Sequence, residues 1–366
     1  MINKLVIENL KHRPVRTFLS MLAISIEVTM VLTLVGLSYG MLEESVRRTR
    51  GVGADVIVRP PGSSALTLSN APMPEKLQNY FAGLPHVTRV TGTVVHPLVF
   101  PESVTGIDLA AFGEMSGGFK YLEGGPFQSP EDLIIDEHYA RQQKLKVGQK
   151  VNLINRTWRV CGIVESGKLA RLFVQLPVLQ DLEGNQGKLS QIYLQADDDA
   201  NIQTIIKGLK DTPALKEYGV YSTEELVSLI SVSNLPGLKA FIAVIIGLGI
   251  VIGFLVVFLS MYTAVLERTR EIGVLKAIGA SPGYVLNILL RETAVLAFFG
   301  SILGVGLSFV SRWLITTLVP ASLQQKIMPE WWLICMAISL VGALLGTLYP
   351  AWKAAKQDAI EALAYD

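Results

Sequence analysis

Charge is what this sequence has least of. Asp, Glu, Lys and Arg make up 17% of the 366 residues, against 50% hydrophobic residues. That balance excludes an ordinary soluble domain and points to a membrane protein. The net charge of +1 gives no basis for nucleic-acid binding. Cysteine is nearly absent: Cys161 and Cys335 lie far apart in different kinds of segment, so neither a disulfide framework nor a zinc site is implied. The four histidines, His12, His86, His96 and His138, are scattered, and there is no HExxH. No catalytic constellation emerges, so no enzyme is expected.

What is abundant is long apolar sequence. Four stretches, 17–40, 239–266, 293–311 and 331–352, are expected to span a bilayer. Glu27 is the one charge between residues 18 and 39; residues 241–266 and the third and fourth stretches carry none. At about 1.5 Å per residue, their uncharged or nearly uncharged runs of roughly 19–26 residues reach ~28–39 Å, enough for a ~30 Å hydrocarbon core. Trp331, Trp332 and Trp352 flank the last one, as interfacial aromatics do. Basic residues set the orientation. Lys4, Lys11, Arg13 and Arg16 precede the first span, Arg268, Arg270, Lys276 and Arg291 lie between the second and third, and Lys353 and Lys356 follow the fourth. The loop 312–330 has only Arg312 and Lys326. Both termini (1–16 and 353–366) and the 267–292 loop are therefore expected in the cytoplasm, and 41–238 outside. The first span is too long for a signal-peptide core and lacks a small-x-small cleavage site, so it is expected to be a retained anchor.

Residues 41–238 are expected to be a mixed α+β domain. "ADVIVRP", "VTRVTGTVVHPLVF" and "SQIYLQ" predict strands, and "MPEKLQNYFAGL" and "ANIQTIIKGLK" predict helices. "DLIIDEHYARQQKL" predicts a strand then a helix, and "KVGQKVNLINRTWRVCGIV" a small β-unit. "GIVESGKL", 162–169, nearly fits a phosphate-binding loop, but Leu169 replaces the Mg²⁺-holding hydroxyl; a β-turn is the better expectation. Asp197-Asp198-Asp199 lacks calcium-ligand spacing and suits a solvated loop with a helix N-cap.

Two membrane features stand out. Each span has a Gly-x-x-x-Gly: Gly36/Gly40, Gly249/Gly253, Gly300/Gly304 and Gly342/Gly346. These favour close helix packing, in a compact bundle or a dimer. Glu27 must face a partner helix, a cavity or a seam, because facing lipid would cost several kcal/mol. It is either a proton or substrate site or a protonated Glu at a helix interface. At the N-terminus, Ile2, Leu5, Val6 and Leu10 share one face, which suits an interfacial helix, with Pro14 marking the bend into the first span.

The stretch "LERTREIGVLKAIGASPGYV", 266–285, breaks two greasy runs with charge. Glu267/Arg270 and Arg268/Glu271 have i,i+3 spacing. Ile272, Leu275 and Ile278-Gly279 make a narrow apolar face. Ser281-Pro282 has the form of an N-cap and first helical position. This predicts a helix–turn–helix elbow leading into the third span. Physically, it is either a docking element or a solubilising loop.

"RTREIGVLKAIGAS", 268–281, resembles the signature of MacB/FtsX-type ABC transporter permeases. "YPAWKAAKQDAIEAL", 349–363, is similar to that family's closing motif. "DEHYARQQKLKVGQKVNL" and "WRVCGIV" are similar to its extracytoplasmic domain, and the order of one span, a large domain and three spans agrees. The resemblance implies a multi-pass protein of the bacterial inner membrane working as a homodimer with a cytoplasmic ABC ATPase. With no phosphate-binding loop inside and about sixteen residues before the first span, that ATPase is expected to be a separate subunit. ATP and Mg²⁺ would be bound there; no cofactor and no metal are expected in this chain.

The family also implies mechanotransmission, in which ATPase closure moves the external domain to export or extract a hydrophobic drug, lipid, lipoprotein or peptide. It leaves room for a periplasmic adaptor, and membrane lipid surrounds the spans. It further implies two external subdomains, 41–110 with 199–238, and an inserted 111–198. The elbow then becomes the ATPase-coupling site. Arg268, Arg270, Glu271 and Lys276 would supply polar contacts. Ile272, Gly273, Leu275, Ala277, Gly279 and Ala280 would supply close packing. The alternative function is an FtsX-like regulator of a cell-wall hydrolase, disfavoured by the size of the external domain. A membrane enzyme or receptor without an ATPase is disfavoured by the lack of catalytic clustering.

Overall fold

The computed structural model describes residues 2–63, 72–98, 102–231, 234–318 and 325–357, side chains of 2–5, 7 and 236 excepted. The end of the closing motif, 358–363, lies outside them. The described chain forms two units, one helical (2–39, 237–317 and 325–357) and one built on a sheet (within 40–236).

Among the described residues, four helices are long and apolar enough to cross a membrane, so the chain is a membrane protein. A short helix, α1 (Ile2–His12), comes first, with Val6 buried. Pro14 then opens α2 (Pro14–Arg50), where its missing N–H costs nothing. The bend between them is held by the Thr17 hydroxyl, which donates to the Leu10 carbonyl at 3.0 Å. Helix α2 outruns the expected 17–40 because nothing in 41–50 breaks it. Glu44 pairs there with Arg47 and, at 2.9 Å, with Arg48, on the same helix face.

In the sheet unit the strands are β1 (Val56–Arg59), β2 (Met73–Pro74), β3 (Val87–Pro97), β4 (Ser103–Ile107), β5 (Tyr121–Gly124), β6 (Asp132–Asp136), β7 (Lys150–Leu153), β8 (Arg156–Val164), β9 (Leu172–Gln175), β10 (Lys188–Leu189), β11 (Gln191–Ala196) and β12 (Gly219–Ser222). The helices there are α3 (Leu77–Ala82), α4 (Leu109–Ser116), α5 (Glu137–Gln143), α6 (Leu176–Leu182), α7 (Ile202–Asp211) and α8 (Thr223–Leu229). One sheet runs β12-β1-β11-β3-β4-β9-β6-β8-β5, with β7 also on β8. The pairs β4–β9 and β6–β8 are parallel and the others antiparallel.

Side-chain alternation sends Val56, Val58, Leu133, Ile135, Leu172 and Val174 to one core. Ile57, Ile134 and Phe173 go to the core on the other face. Both faces are buried, which is why these strands are apolar without a polar stripe. The expected insertion, 111–198, does not close on itself. Strand β11 fills the place between β1 and β3 and satisfies the backbone groups of both, so it belongs with the flanking segment.

"GIVESGKL" joins β8 to β9, a strand-to-strand turn with no helix N-terminus for a phosphate. The Lys168 ammonium donates to the Ser116 carbonyl, and Leu169 N–H to the Arg48 carbonyl at 3.0 Å. Asp198 caps the short 3₁₀ turn Asp199–Asn201 by accepting from Ala200 N–H at 2.8 Å, and no metal-binding cluster occurs among the described residues.

The helical unit continues with α9 (Pro236–Glu267), α10 (Thr269–Ala277), α11 (Pro282–Leu318) and α12 (Pro329–Lys356). Helix α11 runs unbroken past the expected 293–311 boundaries, so the second half of the 267–292 elbow is its first turns. The segment after it returns to α2, where Lys326 N–H donates to the Gly36 carbonyl at 3.0 Å.

The glycine pairs show which helices meet. Gly300 and Gly304 of α11 face Ile24 and Val28 of α2; Gly342 and Gly346 of α12 face the α9 backbone at Ile250 and Phe254; Gly249 and Gly253 of α9 face Glu27 of α2. Hydroxyls stitch the α2–α9 and α2–α11 seams, with Ser20 to Ser260 at 2.6 Å and Thr29 to the Gly304 carbonyl at 3.0 Å, and join α11 to α12, with Thr293 to Thr347 at 2.8 Å and Ser301 to Ser339 at 2.7 Å. The four long helices thus form a closed ring, α2–α9–α12–α11. Each of these seam hydroxyls finds a partner that lipid could not provide.

Candidate functional site

The elbow is two helices meeting at a sharp reversal. Arg268 leaves the helical region at φ −110° and ψ 12°, which separates α9 from α10. At the other end α10 closes with a glycine in the left-handed region. Gly279 has φ +101°, its N–H donates to the Lys276 carbonyl at 2.9 Å, and Ala280 N–H donates to the Leu275 carbonyl at 3.1 Å. This is a Schellman closure, and only glycine adopts that backbone without strain. Two residues on, Ser281 caps α11: its Oγ accepts from Tyr284 N–H at 3.3 Å, with Pro282 at the first helical position. The sequence signals for the turn and restart are therefore all used.

The expected coupling residues separate by face. Arg270, Glu271, Ala277 and Gly279 are exposed; Ile272, Leu275, Lys276 and Ala280 are half-buried; Arg268 and Gly273 are buried. Spacing on α10 puts Arg270, Glu271, Val274, Ala277 and Ile278 on its open side. Ile278 is 80% exposed, unusual for a large apolar side chain. Ile272 and Leu275 turn inward instead. With Val285, Ile288, Leu289 and Asn9 they line a hollow of about 110 Å³, rimmed by Arg268 and Glu271. The continuous apolar face expected from Ile272, Leu275 and Ile278 is thus divided.

The charge pairing is also divided. Arg268 reaches Glu271 at 3.4 Å, as its spacing predicts. Glu267 pairs with Arg13 and not with Arg270, because the break at Arg268 puts 267 and 270 on different helices. Arg270 makes no ion pair among the described residues. Lys276 is engaged: its ammonium donates to the Ala355 carbonyl at 2.9 Å and to that of Gln357, so it satisfies carbonyls left open at the end of α12.

One residue missing from the sequence reading, Glu292, holds the elbow from behind, together with Arg16, which the sequence reading used only for orientation. Glu292 of α11 is fully buried and pairs with Arg268 at 3.2 Å and with Arg16 of α2 at 3.0 Å. The available signal was an acidic residue placed directly before an uncharged span. Glu27 lies elsewhere, buried along the ring between α2 and α9. Its carboxylate fills the space opposite Gly253, so it is at a helix interface and away from the elbow.

Comparison with known proteins bears on both units. The family described as MacB-like periplasmic core domain matches residues 17–212, more than half of the chain. The FtsX-like permease C-terminal family matches residues 243–359. The macrolide export ATP-binding/permease protein MacB of Hahella chejuensis is 28% identical, over 96% of this chain and 58% of its own length. The ABC transporter permease YknZ of Bacillus subtilis is 30% identical, over 60% of this chain and 55% of its own. The chain therefore spans less than two thirds of these relatives. A crystal structure of the periplasmic region of MacB from Actinobacillus actinomycetemcomitans overlaps 50% of this chain and 94% of that one, at 15% identity and a TM-score of 0.38.

Proposed function

The chain belongs to the MacB/FtsX-type ABC transporter permease family, and from that premise we propose that it is a permease subunit driven by a partner ATPase. The ATPase docks on the elbow, and its ATP-driven closure moves the sheet domain. The observation that carries this reading is the open side of α10. Arg270 and Glu271 stand exposed beside Val274 and the 80%-exposed Ile278, on a helix anchored from behind by Arg268 and Lys276. A solubilising loop has no need of a bare isoleucine on a rigid support, whereas an interface core does.

The elbow is then cytoplasmic, in agreement with the basic residues around it, and the sheet domain lies outside an inner membrane. The permease acts as a pair of copies. The substrate class is hydrophobic: a drug, lipid, lipoprotein or peptide. A periplasmic adaptor is a further candidate partner. The name of the MacB relatives, macrolide export, supports outward movement.

The test is co-purification with a co-expressed ABC ATPase in nanodiscs, together with ATP turnover. Arg270→Glu with Glu271→Arg, and separately Ile278→Asp, should each abolish capture or cut permease-dependent turnover at least tenfold. Unchanged capture and turnover in both would remove the elbow as the docking site. Failure of the wild-type chain to retain any ATPase would remove the permease reading.

A further inference from the structure

A fully buried carboxylate ties the elbow to α2. Glu292 is 0% exposed. One of its oxygens accepts from Nη2 of Arg16 at 3.0 Å and the other from Nη1 of Arg268 at 3.2 Å. The three residues come from the first turn of α2, the α9–α10 junction and α11. Two guanidinium groups thus share one buried negative charge.

Neither cation is fully satisfied. Arg16 Nη1 and Arg268 Nε are buried without hydrogen-bond partners. The other carboxylate near Arg268, Glu271, stands 3.4 Å from Nε with its side chain 65% exposed, so water screens most of its effect. Without Glu292, Arg16 and Arg268 would repel each other in a site with little solvent. Their association depends on it. A second charge link between the same segments, Arg13 with Glu267, has side chains 32% and 51% exposed and is correspondingly weak.

We propose that Glu292 is the positioning residue through which a displacement of α10 reaches α2. It touches no partner. It locks Arg268, at the root of the elbow, to Arg16, at the start of a helix that runs unbroken to Arg50. A helix of that length transmits an axial or tilting displacement without local yielding, provided its first turn is gripped. The grip is ionic and two-sided, so it can hold the same three helices together while they move as a body. This rests on the reading of the elbow as the ATPase-facing surface.

The experiment uses the full chain in nanodiscs, alone and with its ATPase, and two variants. Glu292→Gln removes the charge at nearly constant shape. Arg16→Gln removes only the α2 arm; with 17% of its side chain exposed it is the better tolerated change and decides the matter if Glu292→Gln does not fold. On the permease alone, spin labels at Phe18 and Val274, 57% and 46% exposed, report the α2–α10 distance. The wild-type distribution should be narrow, and either variant should widen it at least twofold. With the ATPase present, both variants should retain capture and ATP hydrolysis but lose at least fivefold of the ATP-dependent distance change between labels in the sheet domain. A folded Arg16→Gln protein with a wild-type α2–α10 distribution and a wild-type ATP response would overturn the proposal. If the wild-type chain captures no ATPase, the docking reading fails, and the distance measurement on the permease alone still decides the clamp.

Discussion

Gly253 on α9 leaves empty the space that the Glu27 carboxylate on α2 occupies; a Cβ at 253 would overlap that carboxylate. The intramembrane acid and the Gly-x-x-x-Gly pattern are therefore one feature, a polar knob in a glycine hole. Gly253→Ala should force the Glu27 carboxylate aside and destabilise the bundle by about 1 kcal/mol, the overpacking being partly offset by the higher helix propensity of alanine. Adding Glu27→Ala should recover part of that loss, because the two sites are in contact and their effects are not additive. Thermal unfolding of the two single variants and the double variant in one detergent checks this.

Lys276 belongs to the coupling signature, yet its ammonium is committed to the carbonyls that end α12. Lys276→Ala should lower stability by roughly 1–2 kcal/mol, the scale of a lost hydrogen bond to a charged donor. ATPase capture should change less than in the Arg270 and Glu271 reversal. Parallel melting curves and pull-downs separate the two effects.

Gly279 has open space around its α-carbon but sits at φ +101°. The obstacle to a side chain is backbone strain and not collision. Gly279→Ala should cost about 1–2 kcal/mol, and Gly279→Asn distinctly less, since asparagine tolerates positive φ. A melting series across the two variants tests the order.

His138 in the sheet unit receives or donates a 3.0 Å hydrogen bond at Nε2 with the Ser166 hydroxyl. Burial holds its pKa below the ordinary histidine value, despite the opposing fields of Asp136, Glu137 and Glu44. The unfolded chain therefore takes up a proton at higher pH than the folded one. Stability from this group is complete above pH ~6.5 and falls as the pH drops below that value toward the folded pKa. Asp136, whose carboxyl burial raises, contributes a slope of opposite sign from about pH 4 upward. The contribution of His138 is thus the difference between wild type and His138→Gln. That variant should be less acid-sensitive than wild type between pH 5 and 7, as measured by melting temperature against pH.

The elements legible from sequence were those governed by local chemistry. The spans follow from uninterrupted apolar length, and the bend at Pro14 follows from a missing N–H. The turn at Gly279 and the restart at Ser281-Pro282 follow from backbone preference within a few residues. The limits of α2 and α11 were not legible, because a helix does not stop where its hydrophobic run stops; residues 41–50 and 282–292 continue it with charged or mixed sequence. Glu267 does not pair with Arg270 at i,i+3 for a related reason: one non-helical residue, Arg268, rotates 270 away from 267.

By itself the sequence determined a four-span chain with an α+β domain and an elbow, since composition, periodicity and capping act over short distances. The tertiary structure alone decided how that inventory is used. It placed β11 between β1 and β3, gave three of the four glycine pairs a partner helix, turned Lys276 inward and left Ile278 bare. It also brought Arg16, Arg268 and Glu292, separated by up to 276 residues, to one buried point. No local rule encodes these outcomes, because each depends on which surfaces remain unpaired once the helices and strands have formed.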